Sequence, residues 1–133
     1  MPLRGKTVLV TGSSQGIGRA IALHMVAAHA RVVVTSERPE SAVEPIPGTH
    51  YVAADLTRDG EAERLVDAAW DWCGGLDVVV NNLGTFREPG FLELTRAHFD
   101  FVFGINVWSA VAVTQAFVRR AVAAKRGGRI LFS

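Results

Sequence analysis

Gly12, Gly16 and Gly18 stand between an apolar run and an amphipathic segment in "VLVTGSSQGIGRAIA". That placement suits one task, the seating of a diphosphate by main-chain amides. Gly12 allows a tight strand-to-helix turn, and Gly16 lets backbone N–H groups come close to a phosphate. Gly18 lets the helix lie against the strand. The helix that opens here turns the positive end of its dipole toward the anion. Ser13 and Ser14 can add hydroxyl donors, and Gln15 and Ile17 complete the loop. A glycine-rich turn can also be a plain connector. A strand before it and a helix after it are the context that favours the phosphate reading.

Other polar residues fall at the ends of apolar runs. Asp55, followed by Leu56, closes the run His50–Ala53, and Asn81 and Asn82 close Leu76–Val80, with Leu83 and Gly84 next. A carboxylate or amide at a strand's carboxyl end lies on the edge where open α/β sheets bind ligands. Asparagine there can tie neighbouring strands through side-chain amide bonds while its backbone meets a ribose. Each has a plainer role available, Asp55 as a turn cap and Asn81 as a plain turn residue. Asn106 interrupts an apolar segment, where an amide must find partners.

The elements that would position these groups alternate along the chain. Short β-branched runs occur at Thr7–Val10, Arg31–Thr35, His50–Ala53, Leu76–Val80 and Arg129–Phe132. They are continuous rather than alternating, as in strands buried on both faces. Between them lie helical spacings: Ile17, Ile21, Met25 and Ala28 on one face, then Ala62, Leu65, Val66, Ala69 and Trp70 on another. The second helix opens near Asp59-Gly60 and closes at Gly74-Gly75. The longest segment, Arg96 to Lys125, carries Gly104 and so predicts two helices or one with a joint. Glu37 to Thr49, with Pro39, Pro45 and Pro47, reads as a loop with at most one helical turn. Strand and helix in alternation give right-handed βαβ units, hence an α/β fold with a doubly wound parallel sheet of the Rossmann type. Residues 1–133 read as one such domain.

The glycine spacing is G-x-x-x-G-x-G, preceded by Thr11, and "TGSSQGIG" resembles the cofactor loop of the short-chain dehydrogenase/reductase family. Further segments resemble the family in order. "AADL" matches its adenine-contacting Asp at Asp55, and "VVVNNLG" its Asn-Asn-Ala-Gly, with Leu83 for the usual alanine. "FDFVFGINVWSAVAVTQA" matches its interface helix, and "GGRILFS" the lead-in to its fifth strand. The resemblance implies NAD or NADP as cofactor, hydride transfer with a carbonyl or alcohol substrate, and Asn106 as an active-site residue holding a water in a proton relay. It also implies a homo-oligomer through the 105–124 helix.

Cofactor choice stays open at this level. A carboxylate about 20 residues past the loop favours NAD, and an arginine favours the 2′-phosphate of NADP. By the resemblance, Ser36 occupies the NAD-selecting Asp position, while Glu37 takes the place of the usual NADP-binding arginine. Arg38 follows and can swing toward a phosphate, and Gln15 is neutral where NADP enzymes often carry a basic residue.

The family's tyrosine and lysine, in Tyr-x-x-x-Lys, are a different matter. The only tyrosine is Tyr51, inside the third strand and without lysine at that offset. The family's serine falls about two residues past Ser133 on the family's pattern. The expectation is therefore a cofactor-binding half of a reductase, its fifth strand cut part-way and inactive alone. The competing reading is a non-catalytic dinucleotide-binding sensor or scaffold.

Composition restricts the rest. The sequence is 49% hydrophobic and 20% charged, with a net charge of +1, so bulk charge recruits neither nucleic acid nor an anionic membrane. The run Ile105–Val118 is interrupted by Asn106, Ser109, Thr114 and Gln115, short of the roughly 20 apolar residues of a span. One cysteine, Cys73, excludes an internal disulfide and points to a reducing, cytoplasmic compartment. His24, His29, His50 and His98 are dispersed, and no metal site is expected. Trp70, Trp72, Trp108 and Phe99–Phe103 read as core or subunit contact.

Overall fold

The computed structural model describes residues 2–86 and 89–133. Five strands, β1 (Thr7–Val10), β2 (Arg31–Ser36), β3 (Thr49–Ala53), β4 (Val78–Asn81) and β5 (Arg129–Phe132), form one sheet in the order β3-β2-β1-β4-β5. All four pairings are parallel, as βαβ units require. The helices are α1 (Gly16–Ala27), α2 (Glu61–Cys73), α3 (Arg96–Phe103) and α4 (Ser109–Ala123). Because β4 returns to lie beside β1, the strand order reverses between β1 and its two neighbours. A crevice opens there at the carboxyl edge.

Alternate side chains of the strands build two cores. Leu9, Val33, Val52 and Val79 face α2 and α4 and pack with Leu65, Val66, Val113 and Phe117, all buried. Val8, Val10, Val32, Val34 and Val80 face α1 and pack with Ala22 and Ile46. This second face is covered over β1 and β2 but open beyond them. A groove of about 620 Å³ lined by Leu3, Val8, Met25, Val78 and Leu131 runs along it toward β5.

The joint expected at Gly104 is a π-helical turn, Gly104–Trp108, between α3 and α4. Extra residues in a helical turn are a recurrent feature of functional sites. The long loop after β2 contains a single 3-10 turn, Glu40–Ala42. α2 runs from left-handed Gly60 to left-handed Gly74, at the two glycine pairs that bracket it in the sequence. Two expectations need correction. Ile17 is not on the buried face of α1: it is 72% exposed, because the first turn of α1 projects past the sheet edge. The helical stretch Arg96–Ala123, 28 residues, is longer than the run Ile105–Val118 read from the sequence, and is long and apolar enough to cross a membrane by length and composition only, a test that the core helix of a soluble protein also passes. In the fold, α4 packs through Val113, Ala116, Phe117 and Ala121 onto α2 and β4.

Candidate functional site

The turn from β1 into α1 is built from backbone. Gly12 and Gly16 have φ of +60° and +59°, which only glycine adopts at little cost. A methyl on Gly12 would come within 2.9 Å of Leu83 Cα, and one on Gly18 would overlap the Gly12 carbonyl and Asn82 Nδ2. At Gly16 a methyl would meet nothing within 4 Å, so the chain there borders open space. Among the described residues, the N-cap Gln15 makes no side-chain cap bond and no acidic residue occupies the first turn of α1. The amides that open the helix therefore lack an internal anion, the condition that suits an external one.

The crevice above this turn has a volume of about 430 Å³. It is lined by Gly12, by Ser14 through Gly18, by Ser36, Glu37 and Arg38 from the end of β2, and by Asn82, Leu83 and Gly84 after β4. Thr85 and Ile105 complete it. A smaller hollow beside it is lined by Ser36, Glu37, Asp55, Leu56 and Leu83. The sequence-level candidates thus converge on one edge, with Leu83 packed against Gly12 between the two spaces.

Some roles differ from expectation and others match it. Ser13 is fully buried and its hydroxyl donates to the Val10 carbonyl at 2.6 Å while accepting from Thr35 N at 3.0 Å, so only Ser14 faces the crevice. Asn82 Nδ2 donates to the carbonyls of Thr11 and Gly12, at 3.1 and 3.2 Å, and so ties β4 to the glycine turn. Thr11 reciprocates, its Oγ1 accepting from Asn82 N and Leu83 N at 3.0 Å each. Asn81 instead turns to α4, where Nδ2 donates to Thr114 Oγ1 at 3.1 Å. Its Oδ1 is buried and unpaired among the described residues.

Asp55 serves as a turn cap with one oxygen: Oδ1 accepts from Thr57 N at 3.0 Å and Thr57 Oγ1 at 2.6 Å. Its backbone N–H donates to Glu61 Oε2 at 3.1 Å, and Arg64 bridges Glu61 and the Ala53 carbonyl. The Arg64 hydrogen bond and the Asp55 amide hold the Glu61 carboxyl down at about 2.

Asn106 lies outside the crevice lining but is bonded to one residue of it, Thr85. It is exposed rather than buried, and its amide pairs with the backbone of Thr85 in both directions: Thr85 N to Oδ1 at 2.7 Å and Nδ2 to Thr85 O at 3.0 Å. The π turn thereby fixes the segment after Gly84. Sequence reasoning misses Thr85, whose backbone makes these bonds, since its side chain type carries no signal. It also passes over Tyr51, whose hydroxyl reaches the end of β2.

Residues 6–133 match the sequence profile of the short chain dehydrogenase family. The chain belongs to that family. A sorbitol dehydrogenase of Cereibacter sphaeroides is 38% identical over 98% of this chain and 53% of its own length. An L-xylulose reductase of Mesocricetus auratus is 36% identical over 97% of this chain and 52% of its own. The crystal structure of a putative short-chain alcohol dehydrogenase from Sinorhizobium meliloti 1021 superposes with a TM-score of 0.87 at 29% identity, covering 98% of this chain and 54% of that one. This short-chain dehydrogenase chain spans about half the length of the relatives it matches.

Proposed function

We propose that the chain seats the dinucleotide of a nicotinamide-dependent oxidoreductase acting on a small carbonyl or alcohol. The observation that carries this reading is the conjunction of an uncapped α1 N-terminus, left-handed Gly12 and Gly16, and a crevice at the sheet's reversal point. A diphosphate would lie over Ser14–Gly18, met by main-chain amides and the Ser14 hydroxyl. The adenosine would occupy the hollow of Ser36, Asp55 and Leu56, and the far ribose would meet Asn82–Gly84. When bound, the nicotinamide accepts or supplies the hydride. Asn106 holds Thr85 and with it the wall beside Gly84, and is proposed to stand next to the reacting centre. A place for Asn106 in a proton path is proposed on the family's pattern, in which a tyrosine, a lysine and a serine take part. The exposed row Phe99, Phe103, Val107 and Trp108, continued on α4 by Val111, Val118 and Val122, supports assembly with a second copy through this helix.

The test is a fluorescence titration with NADH and NADPH. Binding of either at micromolar to millimolar levels is expected. If the folded protein ignored both, the assignment of the crevice would fail.

A further inference from the structure

Two spaces meet at the carboxyl edge, and they are unequal. The crevice over the glycine turn holds about 430 Å³, whereas the hollow beside it holds about 60 Å³. That leaves room for a few water molecules, not for the two fused rings of a purine. Gly12, Ser36, Glu37 and Leu83 line both spaces, and of these Leu83 alone is bulky and apolar. Its main chain is pinned. Leu83 N donates to Thr11 Oγ1 at 3.0 Å, and a methyl on Gly12 would come within 2.9 Å of Leu83 Cα. Its side chain is less confined: it is half-buried, packed against the core under α2 and α4, with Cδ1 beside Gly12. Glu37, the other long side chain at this boundary, is exposed and turns into solvent at little cost.

We propose that the Leu83 side chain is a movable partition that sets how well this site takes adenine. Ligands bearing adenosine bind when it turns aside, whereas a diphosphate alone leaves it where it is. This rests on the dinucleotide reading above. A leucine side chain sits in discrete rotamers, so the hollow opens by a rotamer change rather than by a small shift. The change gives up part of the packing against the core, and that cost lowers the affinity of every adenosine ligand. It applies equally to both forms of the dinucleotide, because both carry adenine. The rest of the hollow is already fixed. Asp55 Oδ1 is held by Thr57, its backbone N–H by Glu61, and Ser36 Oγ by Tyr51 Oη at 2.6 Å. Leu83 acts by volume and makes no bond to the ligand, so its role is in specificity rather than in catalysis.

The experiment titrates the protein and Leu83→Ala with NADH, adenosine diphosphate and inorganic diphosphate, with thermal unfolding recorded alongside. Displacing a packed side chain from its preferred rotamer corresponds to about 3- to 10-fold in affinity. Leu83→Ala should therefore bind NADH and adenosine diphosphate about 3- to 10-fold more tightly, with inorganic diphosphate unchanged. An unchanged or weaker affinity for adenosine diphosphate would overturn the proposal. So would an equal change for all three ligands, since the substitution would then have acted on the glycine turn. Should Leu83→Ala fail to fold, Leu83→Val trims the same side chain by a single carbon. It should tighten adenosine diphosphate about 2-fold, again without effect on inorganic diphosphate, and no tightening there would refute the partition. Binding of none of the three ligands by either protein would instead remove the dinucleotide reading, and the partition with it.

Discussion

The same five strands end in polar groups on both edges, and the two edges use them differently. At the amino edge, Thr7, Asp77 and Arg126 satisfy one another. Asp77 Oδ2 accepts from Thr7 N at 3.0 Å, Asp77 N donates to Thr7 Oγ1 at 3.0 Å, and Arg126 donates to Asp77 Oδ1 at 2.9 Å. Burial alone would raise the Asp77 pKa, but the Thr7 bonds and the Arg126 charge outweigh it and hold the group down. Beside them Arg31 lies 4.6 Å from the centre of the Trp72 ring, which stacks on His50 at 5.0 Å. At the carboxyl edge, by contrast, the start of α1 has no side-chain cap bond and no acidic residue in its first turn, and Asp55 bonds through one oxygen among the described residues. A polar network is structural when its members consume one another's bonding capacity. It is a candidate site when capacity is left over on rigid supports.

Gly18→Ala should separate the edges most sharply. The added methyl would overlap the Gly12 carbonyl and Asn82 Nδ2, both tied into the turn, so the phosphate loop must shift. Dinucleotide affinity should fall by about 100-fold or more, with a stability loss of about 1–3 kcal/mol from overpacking. Isothermal titration and a urea midpoint would measure the two. Gly16→Ala, where space is open but φ is +59°, should cost stability about 1–2 kcal/mol through backbone conformation alone.

Asp77→Ala tests the opposite edge. It leaves the Thr7 amide without its side-chain acceptor and Arg126 without its carboxylate, and should destabilise by about 2–3 kcal/mol. Dinucleotide affinity should not change. A parallel loss of affinity would show that the edges are not independent.

Asn106→Ala should act only on the site. Removing both bonds to Thr85 frees the wall beside Gly84, so NADH should bind about 5-fold more weakly while adenosine diphosphate binds as before. Equal weakening of both ligands would place the damage elsewhere.

How much of this is legible in the sequence follows from what sets each feature. Strand β1 falls on Thr7–Val10 as the apolar run indicates, because burial on both faces leaves little choice of residue. Gly12, Gly16 and Gly18 are legible because backbone geometry demands glycine at the first two and packing demands it at the third. Ile17 misleads: its spacing matches the buried face, but helical periodicity does not show where the supporting sheet ends. Ser13 misleads for a related reason, since its type suits a phosphate equally well and only the fold turns it toward Val10. Tyr51 is the least legible. Its hydroxyl meets Ser36 Oγ and the Arg38 carbonyl because the register sets it opposite Val34, two residues below Ser36, which no spacing along the chain reveals.

The finest test of the comparison is acid. Glu61 is tied to Asp55 N and to Arg64 and so steadies the turn under the proposed adenosine hollow. Its carboxyl sits at about 2 in the fold against 4.5 ordinarily. Below pH 4.5 the unfolded chain takes up the proton first, so this group's stabilisation, fully present above that value, declines as pH falls toward 2. Because the pair lies near the surface, the change should be small and screened by salt. Unfolding midpoints of the protein and of Glu61→Gln, taken from pH 6 down to pH 3, should converge as acidity rises. Asp77, also held low, titrates in the same direction at the other edge, so the difference between the two proteins, not the slope of either, isolates Glu61. Midpoints that ran parallel over the whole range would mean that the clamp on Asp55 does not depend on the charge of Glu61.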